Sequence, residues 1–304
     1  MTMIDREIFL NLPTEEVAKL VRAAGPQVCV FPINGTRRWF MLEHIHKIQG
    51  DLEKLYANTT GKKHTELYQL LFEHGLDTII APVFGSELFT RGDEYMQKIG
   101  ADGMERLATH PDFLAFYRKN NVRVHFYGDY RKKLIGTPFV YLCTLFDNIA
   151  KETAQNNRYR LFYGAFANDS VETIAEISVK HFEKNGVIPS RKELVEQYYG
   201  EYVEPATLFI GFDKFSVFDY PMLSLGEEDL YFTVAPSFYL DAQPLRKILY
   251  DHIYLRRTQD VNYATMPKEE FLSMRNFYYA NRGTVLGVGE VYGNIWYPSL
   301  SAKI

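Results

Sequence analysis

Six short runs of β-branched and aromatic residues, each cut off by turn-forming residues, constrain this chain's fold more than any other feature. Residues 27–33 end at Asn34-Gly35, 78–84 at Gly85-Ser86, 122–127 at Gly128-Asp129 and 160–166 at Ala167-Asn168-Asp169. Residues 208–210 end at Gly211, and 231–234 at Ala235-Pro236. Short apolar runs of this kind suit strands buried on both faces. Between them, residues 15–23, 66–74, 169–184, 191–199 and 245–256 carry apolar side chains at helical spacing, with Asn168-Asp169-Ser170 and Pro189-Ser190 as helix starts. Strands alternating with helices predict an α/β fold: one domain over residues 1–304, with a mostly parallel six-stranded sheet flanked by helices. The polar stretch 50–63, with Asn58-Thr59-Thr60-Gly61, reads as a mobile loop.

In such sheets a ligand sits beyond the carboxyl ends of the strands, so the turns are where chemistry belongs. The first turn, Asn34-Gly35-Thr36-Arg37-Arg38-Trp39, is the informative one. A helix that begins near Thr36 offers unpaired backbone N–H groups and the positive end of its dipole. Arg37 and Arg38 in that first turn are repelled by the dipole, and a bound anion resolves the conflict. Arginine suits phosphate through its planar fork. The alternative leaves both side chains in solvent or paired with Glu43. The second turn brings Phe84, Glu87 and Arg91, the last two at a spacing that also fits a plain surface pair. The third brings Tyr127 and Asp129 beside Arg131-Lys132-Lys133, where a solvated loop is equally open. The fifth adds Lys214 and Ser216 among aromatics, placed to close over the same phosphate.

Composition narrows the partners. A net charge of −4 offers nucleic acid no electrostatic footprint. No apolar run approaches the roughly 18 residues of a membrane span, so no transmembrane segment is expected. The N-terminus has acidic residues where a signal peptide needs basic and then apolar ones. Cys29 and Cys143 share no metal-binding spacing, and neither do His44, His46, His74, His125 and His252, so no metal site is expected. A cytoplasmic protein is the expectation. The 22 Tyr and 22 Phe residues fit a rich core, or a long pocket whose aromatic walls receive an apolar or cationic ligand. Asn168-Asp169-Ser170-Val171-Glu172 superficially matches the acidic box of helical terpene synthases, but its place between a strand and a helix makes it a cap. Gly287-Val288-Gly289 lacks the third glycine and following helix of a dinucleotide fingerprint and reads as a turn or strand.

Taken in order, these turns resemble the cis-prenyltransferase family typified by undecaprenyl diphosphate synthase. That family's Asp-Gly-Asn-Gly-Arg-Trp is echoed by Asn34-Gly35-Thr36-Arg37-Arg38-Trp39. Its Phe-Ser-Thr-Glu-Asn-Trp-x-Arg is echoed by Phe84 through Arg91, its Gly-Asp by Gly128-Asp129, and its closing Arg-x-Ser-Asn-Phe by Lys214-Phe215-Ser216-Val217-Phe218. The departures matter. The family's metal-binding Asp falls at Asn34, a Glu of its later motif at Phe212, and the first arginine of its second diphosphate site at about Ile210. Chain elongation is therefore not expected. No cofactor is firmly implied, and Mg2+ stays open as a companion of the diphosphate.

A closer resemblance, over nearly the whole chain, is to a diterpene-synthase and diterpenyl-transferring family of the same fold. It rests on stretches such as Phe126-Tyr127-Gly128-Asp129-Tyr130 and Tyr198-Tyr199-Gly200-Glu201-Tyr202-Val203. The resemblance implies that Arg37, Arg38 and the Gly35-Thr36 backbone hold a prenyl diphosphate of C20 or similar length. It places the family's catalytic acid at Asn34 and a catalytic tyrosine at Tyr56. Asparagine still hydrogen-bonds but cannot act as a base. Water or a nucleoside such as adenosine is implied as acceptor, with deprotonation or cyclisation as a third exit, and a homodimer as the assembly; a chain-elongating enzyme and a non-catalytic isoprenoid-diphosphate-binding homologue are the alternatives.

Overall fold

The computed structural model describes residues 3–45, 52–85, 100–257 and 261–299. In chain order the elements are α1 (Arg6–Asn11), α2 (Thr14–Ala23), β1 (Val28–Val30), α3 (Thr36–His44), α4 (Leu52–Glu73) and β2 (Thr78–Phe84). There follow α5 (Asp102–Thr109), α6 (Pro111–Asn120), β3 (Val122–Tyr127), α7 (Tyr130–Leu134), α8 (Tyr141–Glu152) and β4 (Tyr159–Ala165). Next come α9 (Val171–Asn185), α10 (Arg191–Tyr199), β5 (Leu208–Phe212) and β6 (Asp229–Thr233). The chain closes with α11 (Ala242–Tyr250), α12 (Lys268–Asn281), β7 (Gly289–Tyr292) and β8 (Ile295–Pro298).

The sheet runs β3-β4-β2-β1-β5-β6. Every neighbouring pair in it is parallel, a stricter arrangement than the mostly parallel sheet expected from sequence. Alternation along the strands divides two cores. Cys29, Ile79, Leu161, Tyr163 and Ile210 face α4, α6, α8 and α11, while Val28, Val30, Ile80, Phe162 and Phe209 face Val195 and Tyr199 of α10. Burial on both faces is why these strands read as continuous apolar runs. Helices cover both faces of this single α/β layer system.

Two local expectations change. Residues 52–63 belong to the long helix α4, not to a mobile loop; Gly50 and Asp51 lie outside the described residues. The polar stretch stays helical because its hydroxyls bond to the turn behind them. Thr60 Oγ1 donates to the Tyr56 carbonyl at 2.8 Å, and His64 Nδ1 meets the Thr60 carbonyl at 2.7 Å. Thr60, Leu67, Tyr68, Leu71 and Phe72 then bury one face. Tertiary packing overrides weak propensity here. The helix expected over 245–256 instead begins at Ala242 and passes into a π-helical turn at Asp251–Leu255.

Candidate active site

The chain leaves β1, passes the buried Phe31 and reaches Gly35, which has φ +74° and caps α3 without a side-chain bond. Glycine is needed twice over. The left-handed conformation disfavours a side chain, and a Cβ would stand 2.7 Å from the Phe212 ring. The preceding residue is pinned: the Asn34 N–H donates to Ser237 Oγ at 3.0 Å, and its carbonyl accepts the Ser237 N–H at 3.1 Å. The amino end of α3 is thus presented at the carboxyl edge of the sheet, held from β6's following turn.

Three side chains gather on that helix start. Thr36 Oγ1 and the Tyr56 hydroxyl lie 2.8 Å apart, joining α3 to α4. The Tyr56 ring meets Phe40 edge-on at 5.2 Å. Arg38 is half-buried, its guanidinium carbon 5.2 Å above the Phe212 ring and its Nη2 3.2 Å from Asp213 Oδ2. Arg37 is exposed on the neighbouring side of the turn. Beneath lies a packed aromatic floor, in which Phe238 meets Trp39 at 4.9 Å and His64 at 5.1 Å. Burial drives the His64 pKa down to about 4 against the pull of its bond to Thr60, so the ring is neutral at pH 7.

The remaining sequence-predicted residues disperse. Lys214 and Ser216 are exposed on the connection after β5, directly beyond Asp213, with the Ser216 N–H donating to the Lys214 carbonyl at 2.8 Å. Phe84 ends β2 half-buried, and its carbonyl accepts the Phe166 N–H at 2.7 Å. Tyr127 is core rather than pocket wall: it is fully buried, donates its hydroxyl to the Asp219 carbonyl at 2.7 Å and packs 4.7 Å from Tyr199. Its pKa is pushed far up by that burial. Asp129 is buried at the start of α7, with Oδ1 lacking a protein partner. Glu87 and Arg91 lie outside the described residues. Sequence reasoning missed Ser237, Phe212 and Asp213 as parts of the site. Ala235-Pro236-Ser237 had the one available signal, a turn at the end of the sixth strand; nothing local marks Phe212 or Asp213.

A cavity of about 430 Å³ opens between α3 and α4, lined by Trp39, Glu43, His44, Asn58, Thr59 and lysines 62 and 63. A second, of about 460 Å³, lies at the amino ends of β1, β2 and β4, on the opposite edge of the sheet. Arg22 there pairs with Asp77 and Arg160 with Glu204, while Arg158 lies over the Tyr159 ring. Among the described residues no group of three His, Cys, Asp or Glu is arranged to hold a metal ion. At the cradle itself Asn34 supplies an amide, Phe212 supplies no donor, and the Asp213 carboxylate faces Arg38. These residues do not form a ligand set for Mg2+.

No family model matches the chain. It is 42% identical over 299 residues to tuberculosinyl adenosine transferase of Mycobacterium tuberculosis, covering 98% of this chain and 99% of the relative. It is 26% identical over 296 residues to (+)-kolavelool synthase of Herpetosiphon aurantiacus, covering 95% and 94% respectively. A probable undecaprenyl diphosphate synthase from Campylobacter jejuni superposes with a TM-score of 0.53 at 13% identity, over 78% of this chain and 97% of that one. Lavandulyl diphosphate synthase from Lavandula x intermedia, solved with dimethylallyl diphosphate, gives 0.54 at 12% identity, over 80% and 99%. At such identities the structural likeness speaks for the fold alone. The identity of two residues in five along almost the full length of both proteins shows more: this chain belongs to the family of tuberculosinyl adenosine transferase, built on the cis-prenyltransferase fold.

Proposed function

We propose that this protein ionises an allylic, diterpenyl-type prenyl diphosphate and hands the resulting cation to water or to a nucleoside such as adenosine. The observation that carries the reading is the cradle at the start of α3, where the helix's amino end and Arg38 converge beside an aromatic floor. Heterolysis of the carbon–oxygen bond sends the bonding pair out with pyrophosphate. Charge developing on those oxygens is met by Arg38, by Arg37 and by the α3 N–H groups. Phe and Trp faces shield the allylic cation. The Tyr56 hydroxyl, aligned by Thr36, and the Asn34 amide orient the nucleophile. Capture of water releases a proton to solvent; capture of a nucleoside nitrogen needs none to leave. The relatives, tuberculosinyl adenosine transferase and (+)-kolavelool synthase, support a transfer exit and a synthase exit in turn.

Mass spectrometry of products from farnesyl, geranylgeranyl and geranylfarnesyl diphosphates, each with and without adenosine, tests the proposal. A terpene alcohol, or a prenylated nucleoside when adenosine is present, is the expected product. Absence of pyrophosphate release from every substrate would sink it. Asn34, which cannot take a proton where the family resemblance puts an acid, favours a second reading as a non-catalytic diphosphate-binding protein. That reading predicts binding without release in the same panel.

The assembly is proposed as a homodimer. Helix α12 buries none of its side chains, and the β7–β8 hairpin after it leaves Val291 and Tyr292 exposed. A cytoplasmic location is proposed on the absence, among the described residues, of any helix long and apolar enough to cross a membrane, together with two free cysteines.

A further inference from the structure

Arg38 carries the cradle's half-buried cation, yet it is already engaged. Asp213 Oδ2 stands 3.2 Å from Arg38 Nη2, and the aspartate side chain is the more sheltered partner, 17% exposed against 35%. The pair is not a chance meeting of two flexible surface chains. Asp213 is the first residue beyond β5, and its backbone is held in the left-handed region at φ +70°. Its N–H donates to the Thr233 carbonyl of β6 at 3.1 Å, fixing the carboxylate's origin between two strands. Arg38 is fixed from below by the Phe212 ring, which in turn fills the space that a Cβ on Gly35 would take. Aspartate is among the few residues that tolerate the left-handed region, and the main-chain bond there keeps its carboxylate facing Arg38.

We infer that the Asp213 carboxylate is a built-in competitor for the diphosphate: it occupies Arg38 when the cradle is empty and must yield it when a diphosphate binds. The inference rests on the diphosphate-cradle reading above. Its physical basis is the population argument for a binding group that is only partly available. If Arg38 is paired with Asp213 for most of the time, apparent affinity for any phosphate ligand falls by the fraction left free. The same contact favours departure of the product. Pyrophosphate is more highly charged than the substrate's diphosphate ester, and a carboxylate poised to recapture Arg38 offers the guanidinium an anion that stays with the protein. Asp213 is accordingly a positioning residue, acting on the ligand through Arg38.

Titration calorimetry of the full-length protein with inorganic pyrophosphate provides the test, using wild type, Asp213→Asn and Asp213→Glu. Asparagine preserves shape and the capacity to accept a hydrogen bond from Arg38 while removing the charge. The expected result is pyrophosphate binding about two- to fivefold tighter in Asp213→Asn, the range for loss of a partly exposed ion pair, with Asp213→Glu returning towards wild type. A purely structural role would instead lower the melting temperature and leave affinity unchanged or weaker. Affinity that is equal to or below wild type in Asp213→Asn overturns the inference while leaving the cradle intact. Failure of all three forms to bind pyrophosphate overturns the cradle reading itself, and this inference with it.

Discussion

Arg38 and Asp213 sit 175 residues apart in sequence and 3.2 Å apart in space, and the proposed chemistry turns on which anion the arginine meets. Replacing Arg38 by Ala removes charge aimed at the leaving pyrophosphate. We expect turnover to fall by about 10²–10³-fold, the usual loss for one donor in a preorganised anion site. The side chain is partly exposed, so loss of its contacts with Phe212 and Asp213 should lower the melting temperature only slightly and leave circular dichroism as in wild type. Full activity in that variant would remove Arg38 from the mechanism. His64 supplies a second test at this scale. Its folded pKa is lowered to about 4 by burial, below the roughly 6.5 of an unfolded histidine. Between those values the unfolded chain takes up a proton that the folded one refuses, so this contribution is complete above pH 6.5 and is lost as pH falls towards 4. With the ring's partial exposure trimming the shift, the loss is about 2 kcal/mol. Denaturant midpoints at pH 7 and pH 4.5 should converge in His64→Gln and separate in wild type; equal slopes in both would disprove the assignment.

At the level of elements, α4 shows how a polar, Gly-containing stretch becomes a helix when one face is buried. Gly61 stands inside it, and a Cβ there would meet only the Phe113 ring at an ordinary 3.6 Å. Gly61→Ala should therefore stabilise the protein by about 0.5–1 kcal/mol through a smaller loss of backbone entropy. A rise in the denaturant midpoint checks this, and a fall would mean the segment is not helical in solution. The contrast with Gly35 is instructive, because there both φ and the Phe212 ring forbid the same change. Strand limits were legible in the sequence: 78–84 and 122–127 match β2 and β3, since buried strands bounded by glycine turns carry their own signal. The loop expectation for 50–63 failed because hydroxyl-to-backbone bonds and one-sided burial are invisible to a propensity reading.

For the whole molecule, the C-terminal region from α12 to β8 is the open account. Phe277, Tyr278 and Tyr279 on α12 are each more than half exposed, and Val171, Val179 and Phe182 form an uncovered apolar strip on α9 of the body. Aromatic surface of this extent suits a partner, and the proposed homodimer would close the assembly by symmetry. Sedimentation velocity should give about twice the 35.4 kDa chain mass. Phe277→Asp combined with Tyr279→Asp should shift the species to monomer. A monomer in wild type at micromolar concentration would refute the homodimer.

The parallel sheet, the order of strand, turn and helix, and the proposal of an anion site at Asn34-Gly35-Thr36-Arg37-Arg38 follow from the sequence by itself, because each depends on neighbours within one element or one turn. The tertiary structure alone decided what completes the cradle. Ser237 pins Asn34, Phe212 lies under Arg38 and Asp213 faces it because β1 is flanked by β5, with β6 beyond. Strand order is settled by how whole layers bury their faces, a long-range balance that no window of sequence contains, and so the identity of Arg38's partner could not be read before the sheet was assembled.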